Sequence, residues 1–211
     1  LYDKAASCER KDTSSNVFET LTGFVIKYLY DPNSPFRNED LYGPYAEKLS
    51  RSDLIGEEQK PAYAYEAQMC SLNRTGTKAA DFRFSDRYGK IRNLYSVDAE
   101  YVLLFFSNPG CEACMDIIEK LKSNGMISQM ISSDRLAVLN IYIDEDIDSW
   151  RSYMPIYTEE WYNGFDPDYK IRTDILYNVR AIPSLYLLDK DKKFIFKDAP
   201  DDRVLDYLIE S

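Results

Sequence analysis

The chain has 211 residues and a formal net charge of −10, with 26 basic residues against 36 acidic ones and no histidine. A hydrophobic content of 45% is enough to pack a core and argues against global disorder. The acidic surplus does not suit phosphate neutralisation, so no nucleic-acid partner is expected. Without imidazole the chain can build neither Ser-His-Asp nor Cys-His catalysis, nor a zinc or copper site that needs histidine.

No apolar run is long enough to cross a bilayer. Leu1 stands where a start methionine would; a chain whose signal peptide or lipid anchor had been removed would begin in this way. Residues 1–14 are polar and read as a flexible leader. Ser15-Asn16 can cap a helix in which Val17, Phe18, Leu21, Phe24, Val25, Tyr28 and Leu29 recur at helical spacing, and Asp31-Pro32 stops it. Leu41 to Leu49 reads as a shorter helix broken near Gly43-Pro44. A further helical stretch runs to Leu72 with Pro61 in its first turn, and Asn73 to Gly76 ends it. These elements form an all-helical N-terminal domain over residues 15–78.

From residue 79 to 211 the pattern becomes α/β. Arg83-Phe84 and Ile91 to Leu94 flank Asp86-Arg87-Tyr88-Gly89 as a hairpin. Tyr101 to Phe106 and Leu136 to Ile143 are apolar runs of β-formers, each the signature of a strand buried on both faces. Asp144 to Asp148 opens a helix with an acidic first turn, residues 155–168 read as loop, and Tyr169 to Tyr177 as helix. Leu185 to Leu188 and Phe194 to Lys197 are strands, and Asp201 to Ile209 is a closing helix. Alternating strands and helices imply a central sheet with helices on both faces.

The chemistry centres on Cys111-Glu112-Ala113-Cys114, which follows the Tyr101 strand and the turn Ser107 to Gly110. It opens a helix with Cys114, Ile117, Ile118 and Leu121 on one face and Gly125 as its stop. A helix N-terminus carries partial positive charge and unbonded N–H groups, which favour a thiolate on the first cysteine. Spacing of three residues brings both sulfurs within disulfide distance, with Cys111 expected to be the more exposed. A structural disulfide or half a zinc site has the same spacing, but zinc needs two more ligands, and Cys8 and Cys70 stand alone. Those two cysteines read either as a disulfide or as separate thiols. Glu112 reads as a first-turn acid or as a modulator of the pair.

Strand, Cys-x-x-Cys and helix, followed far downstream by Ile182-Pro183-Ser184 before a strand, resembles the thioredoxin superfamily. The hairpin at Asp81 to Lys90 is similar to that of the TlpA/ResA-type envelope thiol–disulfide oxidoreductases, although Ala80 stands where that branch has proline. The helical region, running into Asn73 to Phe82, resembles a domain of unknown function found before thioredoxin-like domains in Gram-negative envelope proteins. The resemblance implies a thioredoxin-like mixed sheet flanked by helices, a small all-α domain before it, and a periplasmic or envelope location. It implies that Cys111 attacks a disulfide, that Cys114 resolves the mixed disulfide, and that Ile182, a cis Pro183 and Gly110 bind substrate. It implies protein thiols and disulfides and an envelope electron donor as partners, with no metal or other cofactor. The chain departs from the family in carrying Phe105 and Ile117 at both usual carboxylate positions and Gly110 where thioredoxins have tryptophan. Those departures keep open an alternative, a non-catalytic envelope scaffold with a vestigial redox pair. The 72 residues from Cys111 to Pro183 exceed a minimal thioredoxin, so residues 144–177 are expected to hold an insertion whose aromatic side chains narrow access to Cys111.

Overall fold

The computed structural model describes residues 1–211, which divide into two compact units, Leu1–Arg74 and Thr75–Ser211. The first unit is helical: α1 (Tyr2–Lys11), α2 (Val17–Val25) continued by a π-helical turn (Ile26–Tyr30), α3 (Glu39–Ser50) and α4 (Lys60–Ser71). The region read as a flexible leader is therefore ordered as α1. Its anchors are small: Ala5 and Ala6 are buried against Phe18 and Leu49, and the Tyr2 ring meets the edges of Phe18 and Tyr45. Two alanines carry little hydrophobic signal in a sequence, yet their small size lets helices approach closely.

The break expected at Gly43-Pro44 is also absent, because α3 runs through both residues. A Cβ on Gly43 would lie 2.8 Å from the Cβ of Cys70, so the glycine marks where α3 and α4 touch. Asn38 caps α3 by accepting the N–H of Leu41 at 3.1 Å. Pro61 lies in the first turn of α4, where its missing N–H costs no helical bond.

The second unit is built on a seven-stranded sheet of order β2-β1-β5-β4-β3-β6-β7. Its strands are β1 (Arg83–Asp86), β2 (Ile91–Asn93), β3 (Tyr101–Phe106), β4 (Leu136–Tyr142), β5 (Tyr162–Phe165), β6 (Ser184–Asp189) and β7 (Phe194–Phe196). The β3–β4 and β4–β5 pairs are parallel and the others antiparallel. Side chains alternate across β3. Val102, Leu104 and Phe106 join an apolar cluster on one face with Phe84, Leu139, Tyr177 and Tyr186. Leu103 and Phe105 join another with Val138 and Leu187 on the opposite face. The second cluster is closed by α5 (Glu112–Ser123), α6 (Gly125–Ser132) and α9 (Asp201–Glu210), through Ile117, Ile118, Leu121, Ile127, Met130, Val204 and Leu208.

Three elements of this unit differ from the sequence reading. Gly125 does not end the helical region but begins α6, which Asn124 caps by accepting the N–H groups of Met126 and Ile127. The region read as loop contains β5, inserted between β1 and β4. Tyr-Asn-Gly-Phe is turn chemistry in isolation and becomes a strand through ladder bonds on both sides. Gly164 is required there, since a Cβ would meet the carbonyl oxygen of Ser85 at 2.7 Å. Flanking β5 are α7 (Ile147–Ser152), capped by Asp146, and a single helical turn α8 (Lys170–Thr173), shorter than the helix expected over Tyr169 to Tyr177.

Candidate active site

β3 is a continuous apolar run and is buried from Val102 onward. Parallel pairing with β4 and antiparallel pairing with β6 fix its end, where Phe106 faces Ile141 on one side and Ser184 on the other. The chain then turns through Asn108-Pro109-Gly110. Gly110 is exposed and has φ +73, a left-handed conformation that glycine adopts without a Cβ clash. Asn108 secures the turn by donating from Nδ2 to Asp144 Oδ2 at 2.6 Å, and Arg172 also pairs with Asp144.

Cys111 is the N-cap residue of α5 and is joined to Cys114 in a disulfide, with Cα atoms 5.2 Å apart. Its Sγ accepts the backbone N–H of Cys114 at 3.1 Å. The same donor and the helix dipole would favour a thiolate on that sulfur in the reduced state. Cys111 is half-buried, whereas Cys114 is only 1% exposed and opens the apolar face of α5. Glu112 is exposed in the first turn. No group of three or more His, Cys, Asp or Glu side chains is arranged to hold a metal ion. Cys8 is exposed and Cys70 buried, and no disulfide joins them.

The Ile182–Pro183 peptide is cis. Both residues are half-buried and immediately precede β6. Because Ser184 pairs with Phe106, the register sets this loop beside the turn that leads to Cys111. Ile182 packs against the buried cluster that contains Cys114, as does Cys111 itself.

At the two positions where a carboxylate was sought, Phe105 and Ile117 lie buried in the same cluster as Cys114. The same face also holds a ladder of neutral polar groups that the sequence does not signal, because Ser107 and Asn163 read as turn residues and Asn140 sits singly in an apolar run. Ser107 Oγ donates to Asn140 Oδ1, and Asn140 Nδ2 donates to Asn163 Oδ1 at 3.1 Å. Asn163 Nδ2 then donates to the carbonyl of Thr158 at 2.7 Å. Burial pushes the Tyr157 hydroxyl up in pKa, against hydrogen bonds to Ser107 and Asn140 that pull it down. This ladder fastens residues 157–163 to the ends of β3 and β4.

A parallel-centred sheet with a disulfide across the first helical turn after an interior strand, and a cis-proline loop beside it, defines the class of the thioredoxin fold. The family described as Thioredoxin-like matches residues 98–194, and a domain of unknown function (DUF5106) matches residues 5–73. A thioredoxin-like protein from Bacteroides caccae is 40% identical, covers all of this chain with 78% of its own, and superposes with a TM-score of 0.85. The C-terminal domain of an uncharacterized protein from Bacteroides fragilis is 44% identical, over 65% of this chain and 98% of its own, with a TM-score of 0.63.

The chain belongs to the thioredoxin-like family. A thiol:disulfide interchange protein from a Bacteroides species shares the fold at 19% identity and a TM-score of 0.57, over 66% of this chain and 90% of its own. No curated protein matches the chain. No helix is long and apolar enough to cross a membrane.

Proposed function

We propose that the chain is a thiol–disulfide oxidoreductase that reduces disulfides of proteins in the cell envelope. The observation that carries this reading is the asymmetry of the pair: Cys111 is half-buried at a helix N-terminus and Cys114 is buried behind it. In the reduced protein the Cys111 thiolate attacks one sulfur of a substrate disulfide. The substrate S–S bond breaks, and its other sulfur leaves as a thiolate that takes a proton from solvent. Cys114 then gives up its proton and attacks Cys111 Sγ, displacing the first substrate sulfur and closing the Cys111–Cys114 bond. Two electrons pass to the substrate, and an envelope dithiol donor returns them.

Ile182 offers backbone N–H and C=O groups to an extended substrate segment, as an added strand would need. Pro183 shapes that loop, Gly110 leaves room for the approaching chain, and Glu112 modulates the thiolate through its charge. The envelope location rests on the likeness to the TlpA/ResA type. A second reading, a non-catalytic scaffold, is favoured by Phe105 and Ile117, which leave the cysteine face without a carboxylate at either family position.

Insulin reduction separates the two. The reduced protein is expected to catalyse it, Cys111→Ser to fall to the uncatalysed rate, and Cys114→Ser to accumulate a mixed disulfide on Cys111. An inactive wild type would favour the scaffold, and an active Cys111→Ser would remove Cys111 from the mechanism.

A further inference from the structure

One buried carboxylate is tied to the loop that precedes β6. Asp198 follows β7 and is 5% exposed. Its φ of +39 is left-handed, a conformation in which a non-glycine residue is held by its surroundings. A carboxylate this deep is costly unless it is paired. Ser184 Oγ donates to Asp198 Oδ1 at 2.8 Å, and Arg180 Nη2 donates to Asp198 Oδ2 at 3.5 Å. Arg180 and Ser184 bracket Ala181-Ile182-Pro183. The N–H of Ala199 donates to the carbonyl of Leu185 at 3.0 Å, so residues 198 and 199 lie alongside the start of β6.

Other buried aspartates act locally. Asp166 accepts the N–H groups of Asp168 and Ile171 in its own turn. Asp86 accepts those of Tyr88 and Lys90 in the β1–β2 hairpin, together with the side chain of Arg92. Asp198 instead reaches partners 14 and 18 residues upstream and grips both ends of a single short loop.

We propose that Asp198 is a positioning residue for substrate: by tethering Arg180 and Ser184 to one carboxylate, it fixes the backbone of residues 181–183 in the geometry that receives an extended protein segment. The inference rests on the oxidoreductase reading and deepens it, since it assigns the substrate as a polypeptide bound by strand addition. A loop held before binding has less conformational entropy to lose when the substrate arrives. The tether does not touch the cysteines, so it sets the binding of a protein substrate and leaves the chemistry at sulfur alone.

The test compares the full chain with Asp198→Ala, Asp198→Asn and Ser184→Ala. Two substrates are used: insulin, and the small aryl disulfide 5,5′-dithiobis(2-nitrobenzoate). For Asp198→Ala, KM for insulin is expected to rise about tenfold with kcat nearly unchanged, and the aryl disulfide rate is expected to hold. Asp198→Asn keeps an acceptor for Ser184 and is expected to recover most of the insulin KM. An unchanged KM in a folded Asp198→Ala variant overturns the proposal. So does a fall in kcat and in the aryl disulfide rate that matches the change in KM. If Asp198→Ala does not fold, Ser184→Ala, which removes one tether, is judged by the same KM-against-kcat split, with Asp198→Asn as the control expected to stay near the wild type. Amide hydrogen exchange at Ile182 reads the tether without activity: faster exchange in Asp198→Ala and Ser184→Ala with unchanged β6 supports it, and unchanged exchange in both overturns it. Failure of the wild type to reduce insulin, with that exchange effect present, defeats the oxidoreductase reading and not the tether.

Discussion

On one face of the sheet, Leu104, Phe106, Leu139, Ile141 and Tyr186 pack into an apolar and aromatic cluster. On the other, Leu103, Phe105 and Val138 share their side with Cys114 and with the Ser107–Asn140–Asn163 ladder. Both faces bury hydrogen-bonding groups, but on the first the Tyr177 and Tyr186 hydroxyls donate to the backbone carbonyls of Ala80 and Asn178, whereas on the second side chain bonds to side chain, at the end of the sheet where β3 gives way to the cysteine turn. The polar pair associated with the start of β6, Ser184 with Asp198, lies at that same end. Buried polar groups limit what can be substituted, because each must keep its partner. Their concentration at one end marks where the fold holds loops in place, while the rest of the core supplies stability.

Neighbouring residues of β4 test this contrast. Leu139 is fully buried among apolar side chains, so Leu139→Asn should lower unfolding free energy by about 4 kcal/mol, through lost packing and an amide without partners. Asn140→Leu makes the reverse change on the other face and should cost about 2 kcal/mol, by leaving Ser107 and Asn163 without their shared partner. Urea denaturation of both variants measures the difference. A neutral or stabilising Asn140→Leu would mean that the ladder places no constraint on what this face can hold. A smaller effect is expected at the cysteines. With limiting iodoacetamide the reduced protein should be alkylated at Cys111 about tenfold faster than at Cys114, since only the first sulfur is both accessible and at the helix terminus. Preferential labelling of Cys114 would reverse the roles proposed for the pair.

How far the sequence revealed this arrangement depends on the range of the forces involved. β3 was readable to the residue, because six consecutive β-formers from Tyr101 to Phe106 need no partner to be recognised. The Cys-x-x-Cys helix and the Ile-Pro-Ser before β6 were readable as local patterns. β5 was not, because Tyr162 to Phe165 becomes a strand only through bonds to β1 and β4. Nor was α1, whose buried residues are alanines. The least legible parts are the ladder and Asp198, since one asparagine in an apolar run, or one aspartate after a strand, gives no sign of its distant partner.

The inserted segment gives the subtlest prediction. Tyr153 directly follows α7, where its N–H donates to the Trp150 carbonyl at 3.1 Å. The next carbonyl, of Met154, accepts from Arg87 Nη2 at 3.0 Å, and Tyr157 beyond it is buried in the cluster that contains Cys114. Tyr153 is therefore held from both sides. Its hydroxyl lies 3.5 Å from where a Cβ on Gly110 would stand, one residue before Cys111. A protein substrate that reached Cys111 past Gly110 would meet this side chain, and a small disulfide would meet less of it. Tyr153→Ala should raise the rate on insulin relative to 5,5′-dithiobis(2-nitrobenzoate) by roughly threefold, and Tyr153→Phe, which keeps the ring, should change the ratio little. The measurement is a ratio of rates within one folded variant, so a general loss of stability cancels. If the ratio does not move, the segment packs beside the cysteine turn without selecting what reaches Cys111; if it falls, Tyr153 is a contact for protein substrates and not a barrier to them.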